Sequence, residues 1–365
     1  MIYFDNAATT KMSTEALKVY TEVAQQFYAN SDSLHILGNQ SSNLILQVKS
    51  KISQLLHVPA DGLIFTSGGT QSNQIGIESL VEISEERDEV LVSPLEHSSI
   101  YQVLERLERR NKFKICFLPV TENGKVLPEA LENGISERTA LIVVQAVNSV
   151  TGIIQDISAL KLIAKRHDIP FFMDAVQAVT KIPLDYTDIS GFSVSAHKFN
   201  GPKGCGLLFL SPESITVPSY NNVFQQNGFL PGTLDIPGIS SMTTALQYNF
   251  PTIEESLEKM HILQSKLKSL ISKDIRMVVD DYPGICGLIL PRTQGQEAVT
   301  KMGQLGFCIS TVSACSILDP RPDRTLLSLG LSPTEVSRYI RVSLGSDNSV
   351  DEIEKFVATL NNLFG

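Results

Sequence analysis

Several stretches of this chain set reactive residue types at the ends of apolar runs. In Phe192-Ser193-Val194-Ser195-Ala196-His197-Lys198, alternating side chains end in a polar cluster that passes directly into Phe199-Asn200-Gly201-Pro202-Lys203-Gly204-Cys205-Gly206. A lysine at the carboxyl end of a parallel strand stands where α/β sheets bind ligands, and the glycines let backbone approach closely. Partial desolvation there lowers an amine's pKa toward nucleophilic use, so Lys198 is a candidate Schiff-base lysine, although this segment alone reads first as a solvated loop lysine. The run Phe171-Phe172-Met173-Asp174 ends in an acid that suits a metal ligand, a helix N-cap or the carboxylate partner of a protonated pyridine ring. An Asp strand immediately before a Lys strand favours the last of these.

A further segment, Phe65-Thr66-Ser67-Gly68-Gly69-Thr70-Gln71-Ser72-Asn73, runs through small residues into a predicted helix. Helix N-terminal amides and the macrodipole make such a turn an anion seat around Gly69, with the Thr70 hydroxyl adding a donor. It carries neither a GxGxxG fingerprint nor a Walker lysine. His97, in Ser93-Pro94-Leu95-Glu96-His97-Ser98, follows another apolar run. It reads either as a helix-capping histidine or as a ring that stacks on a flat ligand and shuttles protons near neutral pH. Cys315 closes Phe307-Cys308-Ile309-Ser310-Thr311-Val312-Ser313-Ala314-Cys315 and opens a polar, proline-bearing stretch with Arg321 and Arg324. An exposed lone thiol near arginines can ionise and react.

The elements that must position these residues show in the periodicity. Between about Asp61 and Ser211, β-rich runs alternate with amphipathic stretches, the pattern of βαβ units and a mostly parallel sheet. The expected strands are Gly62–Thr66, Glu89–Ser93, Lys114–Val120, Thr139–Val147, Ile169–Asp174, Gly191–His197 and Gly206–Ser211, with helices over Gln71–Leu80, Ser98–Arg110 and Ile157–His167. After a Gly/Pro-rich passage at 228–238, the stretch 252–272 predicts a long helix opened by a Thr252/Glu255 capping box. Beyond it, short strands at Ile285–Leu290 and Tyr339–Leu344 mix with helices and the chain ends in a helix over Val350–Leu363.

The 365 residues carry 39 acidic and 30 basic side chains, a net charge of −9, with 42% hydrophobic residues, enough for a full-sized core. This balance argues against direct nucleic-acid binding, which needs a basic face. Apolar runs are strand-length, far short of a membrane span, and the first residues show no export signal, so a cytoplasmic protein is expected. The five cysteines, Cys116, Cys205, Cys286, Cys308 and Cys315, form no CxxC pair and no metal-ligand spacing. Any that reacts acts as a lone thiol.

The ordered set Asp5-Asn6-Ala7-Ala8-Thr9-Thr10, Asn30…Ser33-Leu34-His35…Gly38, Thr66-Ser67-Gly68-Gly69-Thr70, Glu96-His97, Asp174-Ala175-Val176-Gln177, Ser195-Ala196-His197-Lys198, Pro231-Gly232-Thr233, Ser313-Ala314-Cys315 and Ile340-Arg341-Val342-Ser343 resembles the cysteine desulfurases of the NifS/IscS branch, class V (fold-type I) pyridoxal-phosphate enzymes. The resemblance spans essentially the whole chain. It implies an α/β fold-type I architecture: a large domain over 15–255 with a mostly parallel central sheet, and a small α+β domain made of 1–14 and 256–365. It implies that Lys198 holds pyridoxal 5′-phosphate covalently, that Asp174 pairs with the ring nitrogen, and that Gln177 bonds the phenolic oxygen while His97 stacks on the ring. Gly69, Thr70, Ser195 and His197 are implied at the phosphate, with Thr233 contributed across a homodimer. Asn148 is implied at a cofactor oxygen, with Ser149 as the one-residue alternative. Arg341 would fork onto the substrate carboxylate with Asn30 assisting, and Cys315 would take sulfur from L-cysteine for a sulfur-acceptor protein serving iron–sulfur clusters or tRNA thiolation.

The chain departs from the family pattern in places. Val312 stands where relatives have glycine before Ser-Ala-Cys, and Val223-Phe224-Gln225-Gln226 and Leu230 replace a triple-glycine stretch and an arginine before Pro-Gly-Thr. Val150-Thr151 replaces an acidic-aliphatic pair after Asn148-Ser149. Two other readings stay open: another class V enzyme such as an aminotransferase or selenocysteine lyase, which does not need Cys315, and a non-catalytic sulfur-carrier or regulatory paralogue.

Overall fold

A computed structural model describes residues 1–81, 87–109, 113–312 and 323–365. Its centre is a seven-stranded sheet in the order Leu63–Thr66, Gly206–Leu210, Gly191–Ser195, Phe171–Asp174, Thr139–Gln145, Glu89–Val92 and Lys114–Phe117. The five strands from Gly191–Ser195 to Lys114–Phe117 are parallel, as the alternation of strands and helices predicts. Gly206–Leu210 instead runs antiparallel to Gly191–Ser195. The intervening 196–205 segment is too short for the crossover that a parallel neighbour requires.

Successive strand residues point to opposite faces, and both are covered. Ile142, Val144, Phe171, Met173, Phe192 and Val194 join one core cluster with the helices Thr14–Gln26, Ile36–Leu56, Ile157–Arg166 and Ile236–Asn249. Leu141, Val143, Phe172 and Leu208 face the other, against Gly69–Val81 and Ser98–Arg109. The helices Thr14–Gln26 and Ile36–Leu56 add to the expected elements. A further cluster gathers Phe4, fully buried, with Leu263, Leu288, Ile340, Val342 and Phe356. It packs the three-stranded sheet Tyr339–Ser343, Ile285–Ile289, Arg276–Met277 against the terminal helix Val350–Phe364.

The expected Thr252 capping box does not form. A turn at Phe250–Thr252 feeds straight into the helix Ile253–Leu270, and the Thr252 hydroxyl donates backward to Asn249 O at 3.1 Å. Among the described residues, capping boxes form instead at Ser332/Glu335 and Ser349/Glu352.

Gln226 serves the sheet at its edge. Leu63–Thr66 is an outer strand, so its outward main-chain groups need partners. Gln226, held in the left-handed region at φ 48°, accepts from Phe65 N at 2.6 Å and donates to Phe65 O at 3.0 Å and Leu230 O at 3.0 Å. Its side-chain amide thus stands in for a missing strand neighbour. A carboxylate there cannot donate, so Gln226→Glu is expected to destabilise the fold by about 1–3 kcal/mol, read as a lower urea midpoint at unchanged m-value.

Candidate active site

The parallel pairing of Asp174 with Ser193 sets the ends of two strands side by side. Beyond Ser195 the chain turns through Ala196–Lys198, which brings Lys198 back over the end of the Asp174 strand. A cavity of about 210 Å³ opens there, lined among others by Gly69, Thr70, His97, Asp174, Gln177, Ser195, His197, Lys198 and Arg341.

Asp174 is buried and fixed from two directions. Val176 N donates to Oδ1 at 2.9 Å and Asn73 Nδ2 donates to Oδ2 at 2.9 Å. Asn73 Nδ2 also donates to Ser99 Oγ at 2.9 Å, which lies 2.9 Å from His97 Nδ1. The Ser99 amide donates to the same ring nitrogen at 3.2 Å, so Nδ1 is an acceptor and the neutral ring carries its proton on Nε2. Burial pushes the His97 pKa down, opposed by Asp174 and reinforced by Lys198. The motif reading had not singled out Asn73 or Ser99. Both are buried polar residues within helices, and such groups need partners, which was the available signal.

On the other side, Lys198 Nζ donates to Ala7 O at 2.7 Å and Ala8 O at 2.8 Å. Gln177 Nε2 donates to the same Ala7 O at 2.7 Å, and Lys181 donates to Gln177 Oε1. Arg341, 2% exposed, donates from Nη2 to Asp5 Oδ1 at 2.9 Å and from Nη1 to Ser149 O at 2.8 Å, while its buried Nε has no protein partner. Asp5 and Lys181 are further residues that motif reading did not assign to the site.

The expected anion seat falls at the head of the helix Gly69–Val81, whose first amides have no intrahelical acceptors. A shallow concavity there is lined by Thr9, Gly69, Thr70, Ser195, His197 and Lys203, with others. A Cβ on Gly69 would lie 2.6 Å from Val176 Cγ2, so only glycine lets the helix head approach this closely. His197 Nδ1 lies 3.1 Å from Thr9 Oγ1, and burial together with Lys198, Lys181 and Lys203 brings its pKa to about 4.

Of the other candidate residues, Asn148, Asn30 and Thr233 are not part of the cavity's lining. The Asn148 amide is committed to Leu95 O and to Val150 N, Thr151 N and Thr151 Oγ1, and Ser149 is the member of that pair that lines the cavity. Asn30 is exposed and accepts from Asp32 N at 3.0 Å; Thr233 is exposed in the loop before Ile236–Asn249. Cys315 lies outside the described residues. Cys205 and Cys286 are buried, and burial pushes both thiols up to about 12, while Cys116 and Cys308 are half-buried.

The class-V aminotransferase profile matches residues 2–356. The chain belongs to the class-V aminotransferase family. Within it, a putative cysteine desulfurase NifS of Halalkalibacterium halodurans is 32% identical, with all of this chain and 98% of that protein aligned. A putative cysteine desulfurase NifS of Bacillus subtilis is 31% identical over all of this chain and 95% of its own. A solved NifS-like protein shares the fold at a TM-score of 0.92 and 26% identity, covering 99% of this chain and 98% of that one. SspA, solved in complex with cysteine, gives a TM-score of 0.83 at 28% identity over 94% of this chain and 99% of its own. No helix among the described residues is long and apolar enough to cross a membrane.

His197 makes stability depend on pH with a definite sign. Its folded pKa of about 4 lies below the unfolded value of about 6.5, so between these values the unfolded chain binds the extra proton. Its contribution is complete above about pH 6.5 and is lost as pH falls toward 4. Denaturant midpoints at pH 7 and pH 5 are expected to differ less in His197→Asn than in the parent.

Proposed function

We propose that this chain is a pyridoxal-phosphate-dependent cysteine desulfurase. It moves sulfur from L-cysteine to Cys315, releases L-alanine, and passes the resulting persulfide to an acceptor protein for iron–sulfur cluster assembly or tRNA thiolation. The observation that carries this reading is the convergence of Asp174, His97, Lys198 and Arg341 on one cavity, in a chain whose relatives at 32% and 31% identity bear the desulfurase name.

The donor set fits pyridoxal 5′-phosphate. A buried carboxylate, an imidazole and an amine surround the cavity, and at one end a helix head with hydroxyls suits a phosphate. When bound, the cofactor would supply an electron sink for the substrate carbons. Asp174 would hold a proton on the ring nitrogen, His97 would cover the ring, and Gln177 Nε2 would turn from Ala7 O to the phenolic oxygen. Gly69, Thr70, Ser195 and His197 would hold the phosphate, with Thr233 reaching in from the second copy of a homodimer and Ser149 or Asn148 supporting a ring oxygen.

Lys198 would leave its two carbonyls to carry the cofactor through Nζ, and its amine, once released, would move a proton at the substrate α-carbon. His97 Nε2 is the second proton carrier. Arg341 would grip the substrate carboxylate with Asn30 assisting. The Cys315 thiol takes the sulfur: the carbon–sulfur bond of L-cysteine breaks, a sulfur–sulfur bond forms, and protons balance L-alanine against the persulfide. Residues 15–255 form the cofactor domain in this reading, and 1–14 with 256–365 bring Arg341 and Cys315.

Incubation with L-cysteine and pyridoxal phosphate should add one sulfur to the Cys315 peptide by mass spectrometry, and Cys315→Ala should abolish both the adduct and alanine release. Alanine release that survives Cys315→Ala points instead to a lyase that needs no thiol carrier. Arg341→Lys cannot reproduce the fork to Asp5 and Ser149 while gripping a carboxylate, and should raise KM for L-cysteine about tenfold.

A further inference from the structure

Lys181 lies four residues beyond Gln177, is half-buried and lines a second cavity of about 670 Å³, while Gln177 lines the cofactor cavity. Lys198 lines both cavities. The two ends of a glutamine amide have nearly the same shape, so neighbours decide which faces where. A lysine ammonium can only donate, and Lys181 donates to Gln177 Oε1. The opposite end, Nε2, therefore donates to Ala7 O at 2.7 Å, beside Lys198 Nζ on the same carbonyl.

We propose that Lys181 is a positioning residue for the cofactor site: it locks the Gln177 amide so that its N–H edge is presented beside Lys198, and it sets a second amine on the cavity that Lys198 also lines. This assignment rests on the pyridoxal-phosphate reading given above. No acidic side chain among the described residues forms an ion pair with Lys181. Burial, with Lys198 and Arg341 as like charges, pushes its pKa down to about 7. His197 is within its electrostatic reach, and Tyr282, Asp347 and Glu352 line the same second cavity. Charging an amine there without an ion-pair partner is costly, which fits a role in the site better than one in packing. With Lys181 removed, nothing holds the carbonyl edge of Gln177 outward once the amide has turned from Ala7 O to the cofactor, and Lys198 loses a repelling neighbour. Both changes favour protonation beside the cofactor.

The test compares Lys181→Met, which keeps the volume, and Lys181→Arg, which keeps charge and donors. In the holoenzyme, the pH titration midpoint of the cofactor's visible band is expected to rise by about one unit in Lys181→Met and to stay near the parent's in Lys181→Arg. In cofactor-free protein, competitive labelling of Lys198 with acetic anhydride across pH should show the same rise in Lys181→Met. If both variants keep the parent's melting temperature and Lys181→Met leaves the Lys198 labelling midpoint unmoved, the assignment is overturned. A parent that develops no visible band with pyridoxal phosphate overturns the cofactor reading instead, and with it this role; the labelling arm then still decides whether Lys181 acts on Lys198.

Discussion

The carbonyl oxygen of Ala7 holds the site together. It accepts from Gln177 Nε2 and from Lys198 Nζ, both at 2.7 Å, so two side chains from different strand ends are referenced to one backbone atom. The same N-terminal stretch is anchored on its other flank. Asp5 pairs with Arg341, Asn6 Nδ2 donates to Ser343 O at 3.1 Å, and Ala7 N donates to Ser343 Oγ at 2.9 Å. Just before it, Phe4 is sunk in the apolar cluster of the C-terminal residues. Hydrogen bonds to charged groups contribute about 1.5–3 kcal/mol each, so this short segment couples the Lys198 turn to the Arg341 strand far more firmly than its length suggests.

The electrostatics follow from that convergence. Lys181, Lys198 and Arg341 crowd one region; Asp5 pairs with Arg341, Asp174 lines the cofactor cavity, and Asp347 and Glu352 line the neighbouring one. Where the amines and the guanidinium converge, an anionic ligand gains from the local positive charge. A phosphate at the helix head and a carboxylate at the guanidinium would each relieve part of it. His197 adds no charge near neutral pH, because burial and the lysines keep its ring neutral, so it serves as a hydrogen-bonding group.

The strand-end residues Asp174 and Lys198 were legible because apolar runs stop where a parallel sheet exposes its carboxyl edge, and because consecutive runs become neighbouring strands. Asn73 and Ser99 were not, since nothing in a helical pattern says that an asparagine and a serine 26 positions apart will meet. Thr252 misled for a local reason: the motif was present, but the preceding helix runs into it and leaves no exposed helix head to cap. Asn148 is a related case, where a turn's own amides consume the side chain that a motif offers to a ligand.

By itself the sequence determined the class of structure and the identity of the reactive groups. Hydrophobic period and turn chemistry dictate a mostly parallel sheet, and an ordered series of short motifs along the whole chain points to one family. Only the tertiary structure decided how those groups are paired and oriented. The partners of Asp174, Gln177 and Arg341 come from segments 101, 170 and 336 residues away in the chain. The tautomer of His97 and the facing of the Gln177 amide are set by which donors pack against them, and local sequence carries no information about such contacts.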